Sequence, residues 1–78
     1  MPTIINKNGF RVMIYLGDHE PPHVHIFKTG DEVKIDIKTL FVIEDYEMSD
    51  KDIGKAVKMV HENQGLLIEE WRRINGNF

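Results

Sequence analysis

The sequence has no cysteine, and only three prolines and one tryptophan among its 78 residues. The lack of cysteine excludes disulfide bonds, iron–sulfur clusters, thiolate zinc sites and a cysteine nucleophile. The longest apolar runs, such as residues 12–16, are far too short to span a bilayer, and the first residues lack the basic-then-apolar pattern of a secretory signal. We therefore expect one cytoplasmic domain, residues 1–78, that does not contact membranes.

The sequence also lacks an excess of positive charge. Ten Lys and Arg residues stand against thirteen Asp and Glu residues, which gives a net charge of −3. Acids and bases balance over residues 1–43, and the acidic excess lies in residues 44–63. Because non-specific nucleic-acid binding depends on positive charge, a role with RNA would need a local basic patch. The 41 % apolar and 29 % charged content is typical of a soluble globular domain.

The first half of the chain shows the alternation of apolar and polar residues that predicts β-strands. Residues 3–5 and 10–16 flank Asn8-Gly9, a pair favoured in two-residue hairpin turns because both positions need positive φ. Residues 23–28 and 33–38 predict two further strands, after a loop at 17–22 that contains two prolines. Residues 40–43 are either a short fifth strand or a buried connection.

The second half of the chain has apolar residues at helical spacing. Ser49 is the predicted N-cap, and Asn75-Gly76 is the predicted end. Gly65 costs about 1 kcal/mol relative to alanine, so the helix is either continuous or kinked there. The apolar stripe consists of Ile53, Val57, Val60, Leu67, Trp71 and Ile74. The predicted fold class is α+β: an antiparallel meander of four to five strands with one long C-terminal helix packed on one face.

Alternation along the strands predicts which residues share a face of the sheet. The face expected beneath the helix carries Phe10, Val12, Ile14, Leu16, Val24, Ile26, Val33, Ile35 and Ile37. The opposite face, which we expect to be exposed, carries Arg11, Met13, Tyr15, His23, His25, Phe27, Lys34, Asp36 and Lys38. Two histidines and three basic residues make this second face chemically richer than a solvated face requires.

The sharpest feature is the pair His23 and His25, which follows a Pro-Pro sequence. Residues i and i+2 of a strand point the same way with Cα atoms about 6.5–7 Å apart, so both imidazoles could bind one metal ion. A third metal ligand could come from Glu20, His19 or Asp36. Alternatively, the two histidines could act as general acid and general base, or the pair could have a structural or interface role.

Basic and aromatic residues of the same face suggest a binding surface. Arg11, Lys34 and Lys38 could contact a phosphate or carboxylate, and Tyr15 or Phe27 could stack on a base. The alternative is that they are ordinary outward-facing strand residues whose charge discourages edge-to-edge aggregation.

Two features of the second half permit partner contacts. The acidic residues 44–47 are either a solvated loop before the helix or a surface for a basic partner. Trp71, Leu67 and Ile68 are expected in the core. Alternatively, Ile68 and Met59, which lie towards the edge of the stripe, could form a homodimer contact.

Several motifs of the chain are shared with a known family. They are Met1-Pro2-Thr3-Ile4, Asn8-Gly9-Phe10-Arg11, Tyr15, Glu20-Pro21-Pro22-His23-Val24-His25, Glu62-Asn63-Gln64 and Trp71. With these motifs the sequence resembles the domain of unknown function 4160 (DUF4160) family. Its members are small prokaryotic proteins, often encoded beside a second small protein and treated as components of type II toxin–antitoxin modules. The resemblance implies a cytoplasmic prokaryotic protein with a protein partner, and no established reaction.

Two functional hypotheses follow. In the first, the chain is a toxin that acts as a metal-independent ribonuclease. His23 and His25 would then be acid and base, Arg11 and Lys34 would stabilise the phosphate, and the remaining residues of the face would bind RNA: Tyr15, Phe27 and Lys38. In the second, the chain is a non-enzymatic module, with or without a metal held by His23, His25 and Glu20, that forms a complex with the product of a neighbouring gene. The sequence leaves the cofactor and the oligomeric state open.

Overall fold

A computed structural model of the chain describes residues 3–76, so Met1 and Pro2 of the shared motifs lie outside the described residues. One antiparallel sheet has its strands in chain order, followed by two helices. The elements are β1 (Thr3–Lys7), β2 (Phe10–Met13), β3 (His23–Lys28), β4 (Asp31–Asp36), β5 (Val42–Tyr46), α1 (Asp50–Glu62) and α2 (Gln64–Asn75). The predicted α+β class and the antiparallel meander are therefore confirmed. Within residues 3–76, neither helix has the length and apolar character needed to cross a membrane.

Tight turns set the register of the sheet. Asn8 and Gly9 have φ values of 54° and 82°, and Lys7 lies opposite Phe10, as the sequence predicts for a two-residue hairpin. The β3–β4 turn repeats this pattern at Thr29 and Gly30, whose φ values are 46° and 89°. Short turns of this kind fix which residues share a face, since a shift of one residue would invert every side chain.

The core lies between one face of the sheet and the helices. Phe10, Trp71 and Leu67 are buried there, as predicted. Ser49 caps α1, because its hydroxyl oxygen accepts the backbone N–H of Asp52 at 3.2 Å. The other buried apolar residues are Val12, Ile14, Val24, Ile26, Val33, Ile35, Ile37, Met48, Ala56, Met59 and Val60.

One predicted core residue lies outside the core. Leu16 is 77 % exposed, because β2 ends at Met13 and the chain turns away from the sheet before residue 16. Met59 is buried in the core of the single chain, and Ile68 is half-buried against that core.

The prediction of one long helix is also wrong, because the helix breaks at Asn63. This residue has φ −126° and ψ 20°, and its side-chain Nδ2 donates to the carbonyl of Met59 at 2.8 Å. Gln64 Nε2 then donates to the carbonyl of Ile37 at 2.9 Å, just past β4. Gly65, where a kink was considered, lies in the first turn of α2. The break therefore follows from side-chain amides and not from glycine.

Both ends of α2 are tied to the sheet region. Gln64 bonds the chain after β4, and Asn75 bonds the chain after β2. Specifically, Asn75 Nδ2 donates to the carbonyl of Tyr15 at 3.1 Å, and Asn75 Oδ1 accepts the backbone N–H of Gly17 at 2.7 Å. α2 ends at Asn75, as predicted. These contacts place the helix beside the start of β3, where His23 and His25 lie.

The fifth strand is present but displaced from its predicted position. It covers Val42–Tyr46 and not residues 40–43, so most of the acidic stretch is strand and not a solvated loop. An edge strand can carry polar residues that pair across the sheet. Here Lys34 lies opposite Glu44, and their side chains form a salt bridge of 2.9 Å.

Candidate functional site

The two histidines at the start of β3 are buried, contrary to the expectation of an exposed face. His23 is 8 % exposed and His25 is 7 % exposed. The Trp71 ring lies 5.4 Å from the His23 ring, and the Tyr15 ring lies 4.4 Å from the His25 ring in a T-shaped arrangement, both measured between ring centroids. The histidines are buried because Trp71 of α2 packs against His23, while Tyr15 and Asp18 from the loop after β2 pack against His25. Any chemistry here takes place in a largely desolvated site.

Asp18, from the loop between β2 and β3, brings a carboxylate to both histidines. Its Oδ2 atom lies 3.4 Å from His23 Nε2 and 3.1 Å from His25 Nε2. Among residues 3–76, these three side chains offer ligand atoms that all lie within 4.8 Å of one another. We call Asp18, His23 and His25 the triad.

The other nitrogen of each imidazole already has a partner. His23 Nδ1 lies 2.8 Å from the carbonyl oxygen of Pro21, which can only accept, so Nδ1 carries the proton. His25 Nδ1 lies 2.9 Å from Glu32 Oε2, and an ionised carboxylate imposes the same assignment. In neutral histidines both Nε2 lone pairs then face the acceptor oxygen of Asp18. Three acceptor atoms attract one another only through a shared proton or a cation.

The triad has the ligand types and outer contacts of a transition-metal site. Metal-ligating histidines generally donate their second ring N–H to a carboxylate or a backbone carbonyl, which fixes the tautomer and the ring orientation. Glu32 and Pro21 occupy these positions. Two imidazoles and one carboxylate are a donor set for first-row transition metals, and three protein ligands leave an open coordination position.

Other predicted ligands lie elsewhere. Glu20 and His19 are exposed residues of the β2–β3 loop and do not belong to the triad. Asp36 is buried opposite His23, but its Oδ1 atom accepts the backbone N–H groups of Lys38 and Thr39 at 2.8 and 2.9 Å. Asp36 thus stabilises the turn that follows β4, which is a common role for aspartate.

The predicted basic residues are only partly associated with the histidines. Lys34 lies directly opposite His25, but its ammonium donates to Glu44. This hydrogen bond raises the pKa of Lys34 and lowers the pKa of Glu44. Arg11 is exposed, lies opposite Phe27 and places its guanidinium 5.9 Å from the centroid of that ring.

The remaining predicted binding residues are divided between the site and the solvent. Tyr15 contacts the triad through His25. Phe27 is half-buried further along β3, and Lys38 is exposed in the turn after β4. Of these three predicted binding residues, Tyr15 is therefore the one whose ring contacts a histidine.

Sequence reasoning missed Asp18 and Glu32. Glu32 precedes the predicted start of β4 by one residue, so extending the alternation from Lys34 would have placed it on the histidine face. Asp18 lies in an irregular loop, where no periodicity indicates which way a side chain points.

The fold and the site define a small α+β domain with a buried cluster of two histidines and one aspartate. A family model described as a domain of unknown function (DUF4160) matches residues 9–72. Because this match covers most of the chain, the protein belongs to the DUF4160 family. The matched residues include the whole triad together with Glu32. No curated protein and no solved structure matches the chain.

Proposed function

We propose that this protein is a metal-binding domain that holds one divalent transition-metal ion, such as Zn²⁺, through its triad. The ligand atoms would be Nε2 of His23, Nε2 of His25 and a carboxylate oxygen of Asp18. The observation that carries the proposal is the convergence of these three acceptor atoms while both Nδ1 atoms are already bonded elsewhere. A proton or a metal cation between these acceptors would stabilise the arrangement, and two imidazoles with one carboxylate are the ligand types of a transition metal.

The local charges support the same proposal. When both imidazoles are neutral, the Asp18 and Glu32 carboxylates leave two negative charges in a partly buried region. A divalent cation neutralises these charges and offsets the desolvation of the carboxylates. Imidazole and carboxylate together select first-row transition metals over Mg²⁺, which prefers oxygen ligands.

The ribonuclease hypothesis has weaker support in the geometry. General acid–base catalysis by the pair needs one nitrogen of each imidazole within hydrogen-bond reach of a reacting oxygen of the substrate. Here both Nε2 atoms face Asp18, the rings are almost fully buried, and Lys34 is paired with Glu44. We therefore favour metal binding as the primary property of the site.

We further propose that the metal-binding domain works in the cytoplasm with the product of a neighbouring gene, as one half of a toxin–antitoxin pair. Resemblance to the family's toxin–antitoxin members supports this partner. The exposed side chain of Phe41 supports it as well, because it offers apolar contact area.

Induced expression tests the toxin hypothesis and its ribonuclease form together. Wild type and His23→Ala are induced without the neighbouring gene, and growth and total RNA integrity are followed. If the chain is a metal-independent ribonuclease, growth should stop and RNA should be degraded in the wild-type strain only. The purified wild-type protein should then also degrade RNA in the presence of a chelator. Equal growth and intact RNA in both strains contradict it.

A zinc titration tests the metal proposal. Chelator-treated protein is titrated calorimetrically with Zn²⁺ and, in parallel, with Mg²⁺. We expect saturable binding of one Zn²⁺ per chain and no comparable binding of Mg²⁺. Asp18→Asn keeps the side-chain volume but weakens the ligand, and it should abolish stoichiometric binding.

Two matched controls separate the triad from surface residues. Glu20→Gln removes the carboxylate that the sequence suggested as a ligand, and His61→Gln removes an exposed histidine of α1. Both variants should bind Zn²⁺ as the wild type does. Failure of the wild type to bind, or unchanged binding by a folded Asp18→Asn variant, would overturn the proposal.

A further inference from the structure

A pocket of about 400 Å³ lies between the β1–β2 hairpin and α1. Its lining comes from β1, the hairpin turn, the start of β2, the end of β3 and one side of α1. No member of the triad lines it, so it is separate from the candidate metal site. Its volume falls within the range of small-molecule binding sites, about 300–1,000 Å³. We call it the hairpin pocket.

The hairpin pocket is basic although the chain is acidic. Four lysines line it, against one acid, Glu62; the lysines are Lys7, Lys28, Lys55 and Lys58. Lys28 is paired with Asp52 at 3.2 Å. The other three lysines form no salt bridge with any residue in the range 3–76. A cleft lined by charge of one sign concentrates ligands of the opposite sign.

Part of the lining of the hairpin pocket is apolar. Ile5, Phe10 and Met59 contribute to its lining, and the latter two belong to the hydrophobic core. Lys28 Nζ lies 4.8 Å from the centroid of the Phe10 ring, so this ammonium lies next to the apolar part of the lining. The pocket therefore offers an apolar surface and several cations within one small volume.

We propose that the hairpin pocket binds a small phosphate monoester that carries a planar organic group, the chemical class of the mononucleotides. Lysine ammonium groups bind phosphate as point charges, and Lys55 and Lys58 lie three residues apart on one side of α1. The apolar lining residues would contact the planar group. A fully inorganic anion would leave these residues in contact with water.

A titration of ¹⁵N-labelled protein with adenosine 5′-monophosphate tests the proposal, with inorganic phosphate and adenosine as separate probes. We expect saturable shifts of backbone resonances at the pocket, and weaker binding of phosphate alone and of adenosine alone. The double variant Lys55→Gln/Lys58→Gln should lose about tenfold or more in affinity for the nucleotide, because hydrogen bonds to charged groups are the strong ones.

Two controls make the result specific. Lys51→Gln neutralises an exposed lysine of the same helix that does not line the pocket, and it should bind the nucleotide as the wild type does. Chelator treatment of the wild type should also leave nucleotide binding unchanged, which distinguishes the pocket from nucleotide bound at a metal ion. Glutamine and lysine have similar helix propensities, so these variants should fold. Absence of saturable wild-type binding, or equal affinity of the double variant, would overturn the proposal.

Discussion

The Oε2 atom of Glu32 lies 2.9 Å from Nδ1 of His25, and this contact orients Nε2 of His25 toward Asp18. The two residues come from adjacent strands, β3 and β4, whose register is fixed by a tight turn. The orientation of the imidazole is therefore a consequence of the sheet and not of the loop. Glu32 should tune the metal site without binding the metal.

Substitution of Glu32 tests this positioning role. Glu32→Gln keeps the shape of the side chain but removes its charge, and we expect zinc affinity to fall by about 10–100-fold with unchanged stoichiometry. Competition with a chromophoric chelator measures the affinity. Glu20→Gln serves as the control, and an equal effect of both variants would contradict the role of Glu32.

Zinc binding should depend on pH with a definite sign. Histidine binds metal in its neutral form, so protons compete with the ion, and affinity should decrease as the pH is lowered over the range in which the protein stays folded. Calorimetry in buffers of different ionisation enthalpy measures the proton release directly. Affinity that is constant over this range would indicate that the histidines are not ligands.

Trp71 should contribute strongly to stability, because it is 2 % exposed and lies between the core and His23. We expect Trp71→Ala to cost about 3–5 kcal/mol, enough to unfold a domain of this size. Urea denaturation followed by circular dichroism measures the loss. Leu66→Ala, at an exposed position of the same helix, should have little effect, and a cooperative, stable Trp71→Ala variant would contradict the packing.

Alanine substitutions at Gly65 and Gly17 should have opposite effects on stability, because Gly65 is helical and Gly17 has a positive φ. Gly65 lies in the first turn of α2, and an added Cβ would meet no atom within 4 Å. Gly65→Ala should therefore raise the free energy of unfolding by about 0.4–1 kcal/mol. Gly17 has φ 90°, so Gly17→Ala should lower the free energy of unfolding by about 1 kcal/mol or more. Equal effects at both positions in urea denaturation would show that the helix boundary is misplaced.

Local and periodic signals predicted most of the fold. Asn8-Gly9 and the alternation on either side predicted the first hairpin, and the helical spacing that ends at Ile74 predicted a docked helix. The break at Asn63 was not predictable in this way, because it depends on the bond from Gln64 to Ile37, which are far apart in sequence.

The candidate site was predictable only in part. The spacing of His23 and His25 on one strand indicated that they act together, and their side chains do converge. Their burial depends on α2 and on the loop after β2, which periodicity does not describe. Asp18 reaches the histidines through that loop, so its role required the tertiary structure.

The most direct test of the central claim is anomalous diffraction at the zinc edge from crystals of the zinc-loaded protein. We predict one strong anomalous peak between His23 Nε2, His25 Nε2 and the Asp18 carboxylate, about 2.0–2.2 Å from each ligand atom. A peak only at exposed histidines such as His19 or His61, with none in the triad, would contradict it.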